Sequence, residues 1–443
     1  MSQLATPRGS RTFIVIWFGQ LVSLIGTGLT NFALGVWVYQ RTGSATQLTL
    51  IYLFGALPAI LTLPVAGALV DRWSNRRAML FSNIGAGLST VPLILLLWID
   101  HLEVWSICLI VISRSIFMAF LNPAYTAAVT RLIPRKHFGR ASGMMQASQA
   151  TAQIVPPLLA GVLVVTIGIY NVVLIDVTSY LFALVTLLCI TIPPHENTAA
   201  HEGKKSNLLR EAMYGWTYIK ERPGLLALLF YFATINFVIG IVQVLFTPLL
   251  LSFTSAQVLG TVLAISGLGF LSGSVLMSVW GGPKNRMRGV LGFGFLVGLS
   301  LMLSGVKASA PFIAVTMFAV FFFVPIVNGC SEAIWLNKTM TGVQGRVFAT
   351  RRMIGFSSIP LAYLLAGVLA DRVFEPLVAV GGLLSESVGR IIGQGPGRGI
   401  GLLYVIAGLL TLVAPFIGYL YPRLRKVEQE LPDARSGDAF SSA

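Results

Sequence analysis

Twelve stretches of this chain are each apolar for long enough to cross a hydrocarbon layer, and no other feature constrains the fold as much. Crossing about 30 Å at 1.5 Å per residue takes roughly 20 helical residues, and a helix satisfies its own backbone polar groups where there is no water. The stretches run over about 12–39, 46–70, 78–99, 103–128, 141–167, 170–192, 224–252, 257–281, 288–306, 311–336, 346–370 and 400–421. Of 443 residues, 55% are apolar and 11% charged, whereas soluble domains carry about a quarter charged residues. An ordinary soluble enzyme is thereby excluded, and an all-α membrane protein is expected. The first stretch follows Arg8 and Arg11 and runs on to about Val38 without a small-residue exit, so it is expected to stay as a span rather than leave as a signal peptide.

The formal net charge of +15 would suggest nucleic acid in a soluble protein. Here the basic residues fall mainly on alternate loops, those after the second, fourth, eighth and tenth stretches among them. The opposite side carries only Arg41, Lys307, Arg372, Arg390 and Arg398, with Arg114 inside a span. That asymmetry predicts an even number of spans with both termini in the cytoplasm, and no nucleic-acid partner.

Residues 193–223 break the apolar pattern with a run of charges, so the chain is expected to divide into a six-span bundle (1–192), a cytoplasmic linker (193–223), a second six-span bundle (224–422) and a tail without regular structure (423–443). Within the linker, Leu209, Met213, Trp216 and Ile219 recur at helical spacing before Pro223, which predicts an amphipathic helix along the membrane interface. A repeat supports the two halves. At one offset of 206 residues, Gly139-Arg140 recurs as Gly345-Arg346, and Leu158-Leu159-Ala160-Gly161-Val162-Leu163 recurs as Leu364-Leu365-Ala366-Gly367-Val368-Leu369. Phe117, Asn122 and Ala127 match Phe323, Asn328 and Ala333 in the same register. Two pseudo-symmetric bundles repeated in one orientation are an architecture of secondary transporters.

The loop after the second stretch reads Gly67-Ala68-Leu69-Val70-Asp71-Arg72-Trp73-Ser74-Asn75-Arg76-Arg77. It resembles the G-x-x-x-D-R-x-G-x-R-R motif of the major facilitator superfamily, with Ser74 in place of the second glycine. The drug and siderophore exporter branch, with its macrolide and enterobactin exporters, is most similar. That likeness rests on Gly19-Gln20 and Thr42-Gly43-Ser44-Ala45 around the first span, Asn122-Pro123-Ala124 in the fourth, and Arg140-Ala141-Ser142-Gly143 before the fifth. The fifth span also carries Pro156, Pro157, Ala160 and Gly161 where antiporters of the superfamily have G-P-x-x-G-G. The resemblance implies that Gly67, Asp71, Arg72, Arg76 and Arg77 form a cytoplasmic latch between the bundles, and that Arg114 matches a span-four arginine of proton-coupled members.

Charges inside spans are costly and therefore point to function. Arg114 lies near mid-membrane, while Asp176 and Glu332 stand closer to span ends, where each can instead be an interfacial group reaching water. Many exporters of the branch carry an acid in the first span near Gly26; this chain has Thr27. Gln20, Asn31, Asn236, Asn328 and Trp335 are further candidates for the substrate path, each with helix packing as its alternative. The long outer segment 371–398 is expected either as a short amphipathic cover built on Leu383-Leu384 and Ile391-Ile392 or as an unstructured insertion.

Cys108, Cys189 and Cys330 sit in apolar runs without paired spacing, so free thiols are expected. No ATP-binding G-x-x-x-x-G-K-[ST] run and no H-E-x-x-H pattern occurs, so no enzyme activity, metal or cofactor is expected. The expectation is a monomeric transporter of the plasma or bacterial inner membrane that exports a hydrophobic or amphipathic small molecule by proton antiport. A proton-coupled importer of a sugar or other nutrient, and a transport-inactive sensor, are the alternatives.

Overall fold

A computed structural model describes residues 7–133, 138–190, 208–340 and 343–430, and within its helices the side chains of Gly67, Asp71 and Arg72 fall outside that description. Among the described residues every regular element is helical. The first six are α1 (Pro7–Thr42), α2 (Ala45–Arg72), α3 (Asn75–Trp98), α4 (Val104–Leu132), α5 (Phe138–Thr166) and α6 (Gly168–Leu188). A shorter α7 (Leu208–Lys220) precedes α8 (Pro223–Leu251), α9 (Ala256–Trp280), α10 (Arg286–Val306), α11 (Ala310–Lys338) and α12 (Gln344–Val368). Two short helices, α13 (Glu375–Val378) and α14 (Val388–Ile392), lead to α15 (Arg398–Leu420), and α16 (Pro422–Arg425) and α17 (Val427–Glu430) follow. Twelve of these helices are long and apolar enough to span a bilayer, each within a few residues of its expected place.

The repeat is visible in the backbone: α4 (104–132) and α11 (310–338) have equal length and start 206 residues apart. Connections are set by local chemistry. In Thr42-Gly43-Ser44-Ala45, Gly43 takes the left-handed conformation (φ 64°) that a side chain disfavours, and the Ser44 hydroxyl caps α2 by accepting from the Gln47 amide at 3.3 Å. Ser74, the departure from the motif glycine, caps α3 in the same way through the Arg77 amide at 3.3 Å.

The chain divides into two compact units: residues 1–198 together with Thr254–Ala264, and residues 199–253 together with Ile265 onward. In unit 1, Ile16, Met79, Ala124, Ala128 and Leu187 belong to one buried core cluster and Leu48, Leu93, Ile107 and Val173 to another. The N-terminal turns of α9 belong to this unit because Gly260 lies against Pro157 and Gly161 of α5, where an added Cβ on Gly161 would stand 2.9 Å from the Ala256 carbonyl oxygen.

In unit 2, α7 packs one side against its neighbours and leaves Met213 and Trp216 of the expected apolar face outward. Gly215, Tyr218 and Ile219 are buried, whereas Met213 and Trp216 are 65% and 37% exposed; the Leu209 side chain lies outside the description. Gly215 is the cause: without a side chain it lets α7 close on Arg346 and Thr350 of α12. Tyr218 then donates to the Lys338 carbonyl at 3.3 Å, and the Arg222 guanidinium lies 3.6 Å over its ring.

The tail is helical through Glu430, contrary to the expectation for 423–430, with Leu424 and Val427 buried; residues 431–443, like 191–207 of the linker, lie outside the described residues. Segment 371–398 is folded, so the unstructured alternative is set aside. A π turn (Leu369–Phe374) extends α12, and Val378, Ile392 and Leu402 form a small core. The two apolar pairs split, with Leu384 and Ile392 packed and Leu383 and Ile391 89% and 75% exposed. Arg398 is buried and donates to the Ile392 carbonyl at 3.1 Å, while Glu375 accepts from the Ile400 amide at the start of α15. Cys108, Cys189 and Cys330 are free thiols.

Candidate functional site

Three helices of unit 1 bring a charge cluster together. At 1.5 Å per residue, Asn31, Arg114 and Asp176 each lie about 12–17 Å from the helix ends joined by the α1–α2, α3–α4 and α5–α6 connections. Arg114 Nη1 stands 3.6 Å from Asp176 Oδ2, and its Nη2 donates to Asn31 Oδ1. The second carboxylate oxygen of Asp176 accepts from the Thr27 hydroxyl at 3.3 Å, and that hydroxyl lies 2.9 Å from the Tyr180 hydroxyl. Asp176 is fully buried and Arg114 is 8% exposed, so each neutralises a charge that would otherwise be stranded in a low-dielectric interior.

This corrects the interfacial alternative for Asp176, which does not reach water. It also gives Thr27 a role. Where related exporters carry an acid in the first span, this chain carries a hydroxyl that hydrogen-bonds an acid from the sixth. Gly26 makes the approach possible, since a Cβ there would meet Ser179 and come 3.1 Å from the Asp176 Cα. Tyr180 was invisible as a site residue in the sequence; its only signal is its place one turn beyond Asp176 on α6.

Unit 2 holds a different pair. Arg351 Nη1 donates to Glu332 Oε2 at 2.7 Å between α12 and α11, and the guanidinium lies 5.0 Å over the Trp335 ring. Glu332 retains 47% side-chain exposure and Arg351 19%. Sequence reasoning counted Arg351 only among the basic residues that set orientation, although its place inside the expected 346–370 span marks it as an intramembrane charge.

The other candidates separate. Gln20 and Trp335 are in the packed interior, 4% and 0% exposed, and each has a side-chain nitrogen without a partner among the described residues. Asn31 and Asn328 are exposed on their units, and the half-buried Asn236 donates to the Gly355 carbonyl at 2.9 Å. In the α5 motif Pro156 packs against Gly28, Ala160 is fully buried and Gly161 meets Gly260.

In the loop motif, the Arg76 guanidinium donates to the Leu187 and Leu188 carbonyls at 3.0 and 2.9 Å. It thus satisfies orphan acceptors at the C-terminus of α6 and complements the helix dipole there. Arg77 is exposed. Gly67, Asp71 and Arg72 sit at the end of α2, with side chains outside the description.

Twelve apolar helices in two repeated halves, each with a charge pair set into its helices, define a polytopic membrane protein of transporter architecture. The family model described as Major Facilitator Superfamily matches residues 16–363, and the chain belongs to that superfamily. Its relatives lie in the drug and macrolide efflux branch. It is 28% identical over 365 residues to macrolide efflux protein A of Streptococcus pyogenes, an alignment covering 82% of this chain and 90% of that one. It is 24% identical over 380 residues to the multidrug efflux pump Tap of Mycolicibacterium fortuitum, covering 83% and 90%. Among solved structures, a bacterial homolog of the human lysosomal transporter Spinster, crystallised inward-facing and unoccupied, superposes with a TM-score of 0.72 at 15% identity, covering 97% of this chain and 99% of the other. That last likeness concerns the fold alone.

Proposed function

We propose that the chain exports a hydrophobic or amphipathic small molecule of the drug, macrolide or siderophore kind by proton antiport, with alternating access. It would do so as a monomer in a plasma or bacterial inner membrane with both termini in the cytoplasm. The carrying observation is the buried Arg114–Asp176 pair with Asn31, Thr27 and Tyr180 around it. A carboxylate and a guanidinium in a membrane interior are expensive to hold, and a proton or a solute that releases one from the other changes the energy of the whole unit. Asp176 is the proton carrier in this reading, Arg114 the group that holds it ionised, and Thr27 and Tyr180 fix the carboxylate. The relatives named for macrolide and multidrug efflux support the direction and the solute class. Asp71, Arg72 and Arg77 act as the cytoplasmic latch, and the α5 contact around Pro157 and Gly161 as its outer counterpart. Arg76, already spent on α6, supports that latch by fixing the loop.

The test is flux in proteoliposomes with an acid lumen, using erythromycin and ethidium as probes. A pH gradient is expected to drive accumulation of at least one of them, and Asp176→Asn to abolish the gradient dependence. Accumulation indifferent to the gradient, or an Asp176→Asn protein that still follows it, would overturn the reading.

A further inference from the structure

Unit 2 contains a cavity that its ion pair does not touch. α8, α10, α11 and α15 enclose about 40 Å³, lined mostly by apolar side chains such as Phe232, Ile235, Val297 and Val324. Four polar groups interrupt that lining, and their exposure orders them by depth. Asn328 is exposed, Asn236 half-buried, Tyr231 only 7% and Thr411 2% exposed, the Thr411 hydroxyl donating to the Ala407 carbonyl at 2.8 Å. The cavity therefore opens beside Asn328 and deepens towards Tyr231 and Thr411.

Tyr231 is the anomaly. Its hydroxyl is shut off from solvent and has no hydrogen-bond partner among the described residues, a state that native structures generally avoid because a buried hydroxyl loses its water without compensation. It projects towards Gly294 of α10, where the lack of a side chain leaves it room. Asn236 spends its amide nitrogen on the Gly355 carbonyl and keeps its own oxygen as an acceptor. A water needs roughly 10–15 Å³ of such volume, so the cavity admits the tip of a solute but not its body.

We propose that this cavity is a substrate subsite that receives a hydroxyl-bearing substituent. The inserted hydroxyl bonds to Tyr231, its carbon skeleton lies against Phe232 and Val324, and Asn328 stands at the entrance. This deepens the transport reading and rests on it. It selects, among amphipathic solutes, those that present a hydroxyl on a narrow apolar arm, because a buried polar group left unanswered discriminates against analogues without the partner.

The test measures equilibrium binding to the full-length protein in nanodiscs, with erythromycin as the hydroxyl-rich probe and ethidium as the hydroxyl-free one. Tyr231→Phe removes a single oxygen. It is expected to weaken erythromycin about three- to tenfold, the worth of one neutral hydrogen bond, to leave ethidium within about twofold, and to leave thermal stability unchanged or higher. Unchanged affinity for erythromycin would overturn the proposal and assign the cavity to water alone, as would a fall in stability without any effect on binding. Equal weakening for both probes would reduce Tyr231 to a packing residue, and failure of the wild type to bind erythromycin would overturn the subsite outright. The transport reading fails separately: Tyr231-dependent binding of erythromycin with no gradient-driven flux would sink the antiport and leave the subsite standing.

Discussion

Among the described residues, each half of this molecule carries one ion pair within its spans, and the two are built for different purposes. In unit 1 the pair is sealed: Asp176 is fully buried, and three neighbouring polar groups, Asn31, Thr27 and Tyr180, are arranged around it and Arg114. In unit 2 the contact between Glu332 and Arg351 is shorter, 2.7 Å against 3.6 Å, yet the carboxylate is 47% exposed. Distance alone would rank the second pair as stronger. Burial reverses the order, because in a low dielectric the cost of leaving one charge alone grows faster than the gain from bringing two closer. The repeat makes the contrast sharper, since α4 and α11 are equivalent and the arginine of α4 corresponds to Val320 of α11. The duplicated scaffold was kept and the charges were placed independently.

The largest effect follows from breaking the sealed pair. Arg114→Ala leaves the Asp176 carboxylate without its counter-charge and is expected to cost about 3–5 kcal/mol of stability together with all proton-linked flux. Asp176→Ala should do the same. The double variant is expected to recover most of the thermal stability of the wild type while remaining inactive, since it removes both charges at once. Calorimetry in nanodiscs beside flux in proteoliposomes separates the two quantities; a double variant as unstable as the singles would contradict the pairing.

The extent to which the sequence disclosed these features depended on what each one is made of. Span positions were legible because the bilayer imposes a length and a polarity that no alternative packing evades, and the repeat register carried through to matching helix ends in α4 and α11. The partnership of Arg114 with Asp176 was not legible. It depends on how α4 and α6 are rotated about their axes, and helices that are apolar on every side give the sequence no amphipathic signal from which to read a rotation. α7 shows the same limit from the other direction, since its apolar spacing carried no sign that Gly215 would set its close packing on α12. Segment 371–398 hid its structure because its stabilising contacts, Arg398 to the Ile392 carbonyl and Glu375 to the Ile400 amide, join charged side chains to backbone groups, whose pairing no residue pattern announces.

A second contrast between the halves lies at their basic loops, and its expected effects are intermediate. In unit 1 the start of α3 is tied to the end of α6 by Arg76, which donates to two carbonyls. In unit 2 the equivalent link runs the opposite way. Glu428, beyond α15, accepts from the Arg286 and Met287 amides at the start of α10 at 3.2 and 2.8 Å, while Lys338 donates to its carbonyl at 2.7 Å. One unit satisfies orphan carbonyls with a cation and the other satisfies orphan amides with an anion, each matching the local helix dipole. Arg76→Ala is expected to cost about 1.5–3 kcal/mol, the range for hydrogen bonds to a charged group, and Glu428→Gln about 1 kcal/mol, because the amide still accepts but loses the charge. Equal thermal shifts for the two would remove the distinction between losing the bonds and losing only the charge.

The smallest effect is expected at the more exposed pair. Glu332→Gln keeps an acceptor within reach of Arg351 and leaves that guanidinium over the Trp335 ring, where the aromatic face continues to offset part of its charge. With the carboxylate 47% exposed, the loss should stay within about 1 kcal/mol, and raising the ionic strength should shrink it further, since an exposed pair is screened and a sealed one is not. Gradient-driven flux should persist in this variant. Thermal unfolding of Glu332→Gln and Arg114→Ala measured side by side at low and high salt checks the ranking directly. If Glu332→Gln proved as damaging as Arg114→Ala and as insensitive to salt, exposure would no longer separate the two pairs, and proton coupling would have to be sought in unit 2 as well.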